Sequence, residues 1–198
     1  MTTRSSWVST MRGAWTALAT PMKDGGVDEE ALRALVDRQV AGGITGLIPC
    51  GTTGESATMS PAEQARVVRI VVEQNAKRAP VFAGAGTLST AVSTDLARAA
   101  REAGADGLLL VTPYYNKPTQ AGLIAHYRAI LRDVPMPAIL YNVPSRTMCD
   151  LQADTVAQLA EIPEVVAVKE ASGNVLRTQE ILERTGDRLS VLSGDDPL

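Results

Sequence analysis

Short apolar runs rich in β-favouring residues recur along the chain at 14–20, 44–50, 80–86, 107–112, 138–143, 165–169 and 189–193. Between them the apolar positions shift to a period of about 3.6 residues, the mark of helices with one buried face. Leu32, Leu35, Val36 and Val40 share a face behind Asp28, and Gly42-Gly43 closes that helix. Ser60-Pro61-Ala62-Glu63 combines a capping box with proline at the first helical position, ahead of the stripe Val67, Val68, Val71 and Val72. Further helices are expected over 90–102 and 120–132 and around Thr155 and Leu176.

Strand, loop and helix therefore repeat roughly every 30 residues, the size of a βαβ unit. Such alternation calls for parallel strands with helices packed outside. An open dinucleotide-binding sheet would carry G-x-G-x-x-G after its first strand, where this chain reads Thr20-Pro21-Met22-Lys23-Asp24-Gly25-Gly26. The fold class read from the pattern is α/β, a TIM (β/α)8 barrel. Since a whole barrel takes about 250 residues and seven strand runs can be counted, the 198 residues here are expected to form an incomplete one, lacking the eighth strand. Residues 1–12 are expected to be a poorly ordered N-terminal extension, and 13–198 the partial barrel domain. An unclosed barrel would expose strand edges and apolar faces, so either the chain is a fragment or another subunit covers the gap.

Composition narrows the partners. The net charge is −3 with no basic tract, which argues against nucleic acid and against an anionic membrane surface. No signal peptide or membrane span is apparent, so small metabolites are the expected partners. Cys50, Cys149 and the single histidine, His126, stand at no metal-ligand spacing, so no metal site is expected and a reduced, cytoplasmic setting is the default.

In a barrel the reactive residues gather where strands end and βα loops begin. That rule selects Pro21, Gly51-Thr52-Thr53-Gly54-Glu55, Pro113-Tyr114-Tyr115-Asn116, the stretch from Tyr141 to Thr147, Lys169, and Gly194-Asp195-Asp196. Lys169 ends the apolar run Val165-Val166-Ala167-Val168, and loss of hydration there favours the neutral, nucleophilic amine. Taken alone, that stretch is more simply a buried strand whose last lysine reaches back to water. Gly51-Thr52-Thr53-Gly54 offers hydroxyls and backbone N–H groups to a carboxylate, although a plain βα turn looks the same, and it lacks the lysine of a phosphate-cradling loop. Tyr141 could move protons with Thr52 as a hydroxyl relay, or be a core tyrosine. Arg146 could clamp a substrate carboxylate, or be a solvated surface arginine. Together these groups fit Schiff-base chemistry on a small keto acid, with the iminium as electron sink and no metal required.

The motifs Gly-Thr-Thr-Gly-Glu at 51–55, Val-Thr-Pro-Tyr-Tyr-Asn at 111–116, Tyr-Asn-Val-Pro-Ser-Arg-Thr at 141–147, Val-Lys-Glu-Ala-Ser-Gly-Asn at 168–174 and Ser-Gly-Asp-Asp at 193–196 carry a resemblance over nearly the whole chain from about Gly13 onward. The chain resembles the dihydrodipicolinate synthase family of the pyruvate-dependent class I aldolases. The resemblance implies that Lys169 forms an imine with pyruvate, that Tyr141 moves protons to and from it, and that Thr52 links Tyr141 to Tyr115, which in the family reaches a neighbouring subunit. It further implies that Thr53, within the loop opened by Gly51, contacts the pyruvate carboxylate, and that Arg146 holds the second substrate, aspartate 4-semialdehyde. Lysine and diaminopimelate biosynthesis, a homotetramer built from dimers, a covalent imine without a cofactor and a C-terminal helical region lacking here are its further implications. Alternatives within the resemblance are an N-acetylneuraminate lyase-like enzyme, which lacks the Ser145-Arg146-Thr147 pattern, or an inactive shortened member serving as a structural or interaction subunit. Feedback-inhibited members bind lysine with polar side chains at positions that here are Pro61, Gln64, Leu88 and Val92. Ser56, Ala57 and Tyr114 are retained, yet inhibition by lysine is expected to be weak.

Overall fold

A computed structural model describes residues 3–195. The chain divides into two compact units, one made of Gly13–Ala85 with Asp95–Leu109, the other of the residues up to Arg12, Gly86–Thr94 and those from Leu110 onward. Each predicted apolar run contains a strand.

In the first unit β1 (Trp15–Ala17) pairs in parallel with β4 (Gly46–Ile48), and Leu47 bridges in parallel to Val81 just before β5 (Phe82–Gly84). β5 pairs with the start of β6 (Gly107–Val111). A short antiparallel hairpin, β2 (Met22–Lys23) and β3 (Gly26–Val27), intervenes, and its turn residues Asp24 and Gly25 both have positive φ, 52° and 81°. That is the backbone an Asp-Gly hairpin turn requires. The helices α2 (Glu29–Ala41) and α3 (Pro61–Asn75) pack together, with Leu32, Val36, Val67, Val68 and Val71 buried. Asp28 accepts from the Ala31 N–H, and Ser60 and Glu63 form the predicted reciprocal cap. Trp15 meets Phe82 edge to face, 5.3 Å between ring centroids.

The second unit carries the parallel ladder β7 (Ala138–Asn142), β8 (Val165–Glu170) and β9 (Ser190–Ser193). Val165 to Val168 and Ala138 to Tyr141 are buried throughout, the pattern of parallel strands covered on both faces. α5 (Gln120–Asp133) and α7 (Ala153–Leu159) pack together, as do α7 and α8 (Val175–Thr185). Gln120 ties α5 to the segment that leads into α7: its amide donates to the Asp150 carbonyl and accepts from the Gln152 N–H and the Thr155 hydroxyl. α4 (Thr90–Glu102) begins in this unit, and a single turn, α6 (Pro144–Thr147), follows β7.

The segment before residue 13, read from sequence as a poorly ordered extension, holds a helix, α1 (Arg4–Thr10). Its stability is tertiary. The Arg4 guanidinium donates to the carbonyls of Ala160, Val165 and Arg188, the Val8 carbonyl accepts from the Ser190 hydroxyl, and Met11 is buried. No residue of α1 itself is buried, which is why hydrophobic periodicity gave no sign of it.

Candidate active site

β7 and β8 pair so that Tyr141 stands beside Lys169 and Asn142 beside Glu170 at the C-terminal ends of both strands. Successive side chains alternate faces, so Tyr141 and Lys169 share one face and Asn142 and Glu170 the other. The Lys169 Nζ lies 4.5 Å from the centroid of the Tyr141 ring, a cation–π distance. Tyr141 is buried and Lys169 partly so. The lysine stem has its place because residue 194 is glycine: a Cβ there would meet the Lys169 Cε at 2.8 Å and its Cγ at 3.0 Å. Main-chain bonds knit the ladder around the pair, with the Thr112 N–H donating to the Tyr141 carbonyl at 3.0 Å and the Gly194 N–H to the Glu170 carbonyl at 2.7 Å.

Arg146 is exposed on α6. That turn is pinned from beneath by buried Thr147, whose hydroxyl donates to the carbonyls of Val143 and Cys149 and accepts from the Thr112 hydroxyl at 3.1 Å. Met148 closes it in the left-handed region, φ 56°. Tyr115, at φ 68°, is 85% exposed in the segment between β6 and α5. Asp196, named with the seventh strand end from sequence, lies outside the described residues.

Gly51, Thr52 and Thr53 belong to the other unit. There Gly51 and Thr52 accept through their carbonyls from Gly54 and Glu55, at 3.1 and 3.0 Å, forming a tight turn after β4. Both threonines are exposed. Cys50 and Glu55 flank the turn in the left-handed region, and Gly54 approaches the chain so closely that a Cβ would meet the Leu18 carbonyl at 2.9 Å. Burial pushes the Cys50 thiol up to about 12, so it is an inert core residue at neutral pH. Among the described residues no group of three or more His, Cys, Asp or Glu side chains could hold a metal ion, and no helix is long and apolar enough to cross a membrane.

Sequence reasoning missed the groups behind the pair. Asn142 donates to Glu170 Oε2 and Asp150 Oδ1, both at 3.0 Å, while Arg177 forks onto the two oxygens of Asp150 at 3.1 Å each. Burial pushes the Asp150 carboxyl up, but hydrogen bonds from Asn142 and Arg177 and the charge of Arg177 outweigh it and leave it below the usual carboxylate range. The available signal was adjacency, since Asn142 follows Tyr141 and Glu170 follows Lys169. A lysine amine beside a phenol on rigid strand ends can attack a carbonyl and exchange protons with the adduct.

Residues 10–198 match the family model described as the dihydrodipicolinate synthetase family. The 4-hydroxy-tetrahydrodipicolinate synthase of Nitratidesulfovibrio vulgaris strain Miyazaki F is 56% identical over 186 residues, 93% of this chain and 64% of that protein. Among solved structures, dihydrodipicolinate synthase from Aquifex aeolicus superposes with a TM-score of 0.92 at 45% identity, covering 94% of this chain and 64% of that one. The chloride-inhibited dihydrodipicolinate synthase from Acinetobacter baumannii, complexed with pyruvate, gives 0.91 at 45% identity over the same shares. The chain thus spans about 64% of the length of the curated relatives it matches. Its fold class is that of these enzymes, the α/β barrel, present in part.

Proposed function

Because the chain belongs to the dihydrodipicolinate synthetase family, we propose that it carries the imine-forming centre of a 4-hydroxy-tetrahydrodipicolinate synthase, which condenses pyruvate with L-aspartate 4-semialdehyde on the route to diaminopimelate and lysine. The observation that carries the reading is Lys169 over Tyr141 at 4.5 Å on two adjacent strand ends.

In this reading the neutral Lys169 amine adds to the C2 carbonyl of pyruvate, and the added nitrogen passes one proton to the alkoxide oxygen to give a carbinolamine. Tyr141 donates a proton to the departing hydroxyl, water leaves and an iminium remains. The Tyr141 phenolate takes a C3 proton to give the enamine, whose carbon attacks the aldehyde carbonyl of the second substrate. The positive nitrogen is the electron sink, so neither metal nor organic cofactor enters. Thr53, in the turn after Gly51, binds the pyruvate carboxylate, and Arg146 binds that of the aldehyde by a charge-assisted fork. Thr52 relays protons between Tyr141 and Tyr115. The 85% exposure of Tyr115 suits a side chain that serves a second copy within a homo-oligomer.

Lysine is a weak inhibitor in this reading. Leu88 and Val92 present exposed apolar side chains, and the Gln64 amide is spent on the carbonyls of Ser56 and Met59. The deciding experiment is incubation with pyruvate and borohydride followed by peptide mass mapping. A reduced pyruvyl adduct on Lys169 is expected, and its absence rejects the assignment.

A further inference from the structure

Asn142 and Glu170 occupy the face of the β7–β8 ladder turned away from the lysine, and they are 0% and 6% exposed. Every polar atom of these two side chains is engaged. Asn142 Oδ1 accepts from the Leu151 N–H at 2.9 Å, which fixes the orientation of the amide and leaves both its hydrogens for Glu170 and Asp150. Glu170 Oε1 accepts from the Ser172 N–H at 2.6 Å while Oε2 takes the Asn142 amide at 3.0 Å. Main-chain bonds close the same knot: the Ala171 N–H donates to the Asn142 carbonyl at 2.8 Å and the Gly194 N–H to that of Glu170 at 2.7 Å. At its far end the Arg177 fork on Asp150, with a third bond to the Leu151 carbonyl at 3.0 Å, ties the first turn of α8 to the same cluster.

A buried carboxylate bridged to an amide is a poor way to gain stability, since a packed apolar pair of the same volume does as well or better. What it provides is a single geometry. Here that geometry is imposed on the two residues that directly follow Tyr141 and Lys169. We infer that the Asn142–Glu170 pair, anchored through Asp150 and Arg177, is a positioning device that fixes the Cα of Lys169 against Tyr141 during imine formation. The inference rests on the imine assignment of Lys169 made above.

The chemistry of the pair supplies a sharp variant. Both groups facing Glu170 are donors, and Asn142 cannot turn over without losing Leu151. Glu170→Gln keeps the size but presents one NH2 to a donor, so one of the two bonds must break. The test is single-turnover trapping of pyruvate by borohydride on the intact chain, read as the rate constant and the labelled fraction at Lys169 over a range of pyruvate concentrations. Glu170→Gln is expected to lower the maximal rate constant by about ten- to a hundredfold, the cost of a misplaced nucleophile. The half-saturating pyruvate concentration should move by no more than about twofold, and the labelled fraction should stay full. A merely structural role would instead lower the labelled fraction with the folded fraction seen by circular dichroism, at an unaltered rate constant. That result, or a rate within about twofold of the unaltered chain, overturns the inference. Arg177→Lys, which keeps the charge and loses the fork, is expected to slow trapping by a smaller factor. If Glu170→Gln does not fold, that second variant decides, and an unchanged rate overturns the inference. Failure of the unaltered chain to label rejects the imine assignment itself, and with it this inference, so the two failures are distinguishable.

Discussion

Tyr141 and Lys169 point to one face of the β7–β8 ladder, and Asn142 and Glu170, one residue further along each strand, point to the other. On the first face a flexible amine crosses an aromatic ring at 4.5 Å, held in a slot that exists because residue 194 has no side chain. On the second, every polar atom of an amide and a carboxylate is bonded to a fixed partner. The first arrangement lets a group change its protonation and its bonds. The second forbids change, and the two are separated by a single peptide unit.

The comparison breaks most visibly at Tyr141→Phe. The ring stays under Lys169, so stability should hardly alter, while on the proposed assignment turnover should fall about a hundredfold or more with the loss of the proton-bearing hydroxyl. Steady-state rates beside thermal unfolding midpoints check this, and turnover within about threefold of the parent would remove the phenol from proton transfer. Arg146→Ala sharpens the contrast between imine formation and the later condensation. On the proposed assignment, losing a charge-assisted contact of about 1.5–3 kcal/mol should raise the KM for the aldehyde by about ten- to a hundredfold while pyruvate trapping keeps its rate. Equal loss in both assays would place Arg146 with pyruvate instead.

His126 supplies the smallest effect, one on stability alone. It is buried, its Nδ1 pairs with the Thr90 hydroxyl at 2.9 Å, and burial lowers its pKa from 6.5 to about 4. The unfolded chain therefore binds more protons between those values, so this contribution is complete above about 6.5 and is lost as pH falls towards 4. Thermal midpoints measured across that window should fall more steeply for the parent than for His126→Gln, by on the order of a few degrees. Parallel curves would show that the imidazole does not titrate on unfolding.

These predictions also mark what the sequence could reveal. Helix α3 was legible because its signals are local: Ser60 and Glu63 cap each other across one turn, and the valines behind them share a face. Lys169 and Tyr141 were legible as residues near strand ends because each closes an apolar run, but that run alone gave neither a chemical role. The β2–β3 hairpin was not, since strands of two residues show no alternation, and only Asp24-Gly25 hinted at the turn. The turn carrying Arg146 was hidden because four residues beginning at a proline read as loop. Asn142 and Glu170 lie within the motifs, yet no local pattern shows what they do, because their bond spans 28 residues and depends on strand register. Asp150 and Arg177 are further still from any local pattern, meeting from a loop and a helix 27 residues apart.

The docking of α1 has a consequence for the order in which this molecule is made. Arg4 grips carbonyls 156, 161 and 184 residues further along the chain. A helix of seven residues has too few internal bonds to persist in water by itself. On a ribosome adding about 5–20 residues each second, α1 leaves the exit tunnel and then waits about ten to forty seconds for the residues that will hold it. The early-made segment is thus the late-folding one, and until β8 and the chain around Arg188 arrive, it is open to proteases and chaperones.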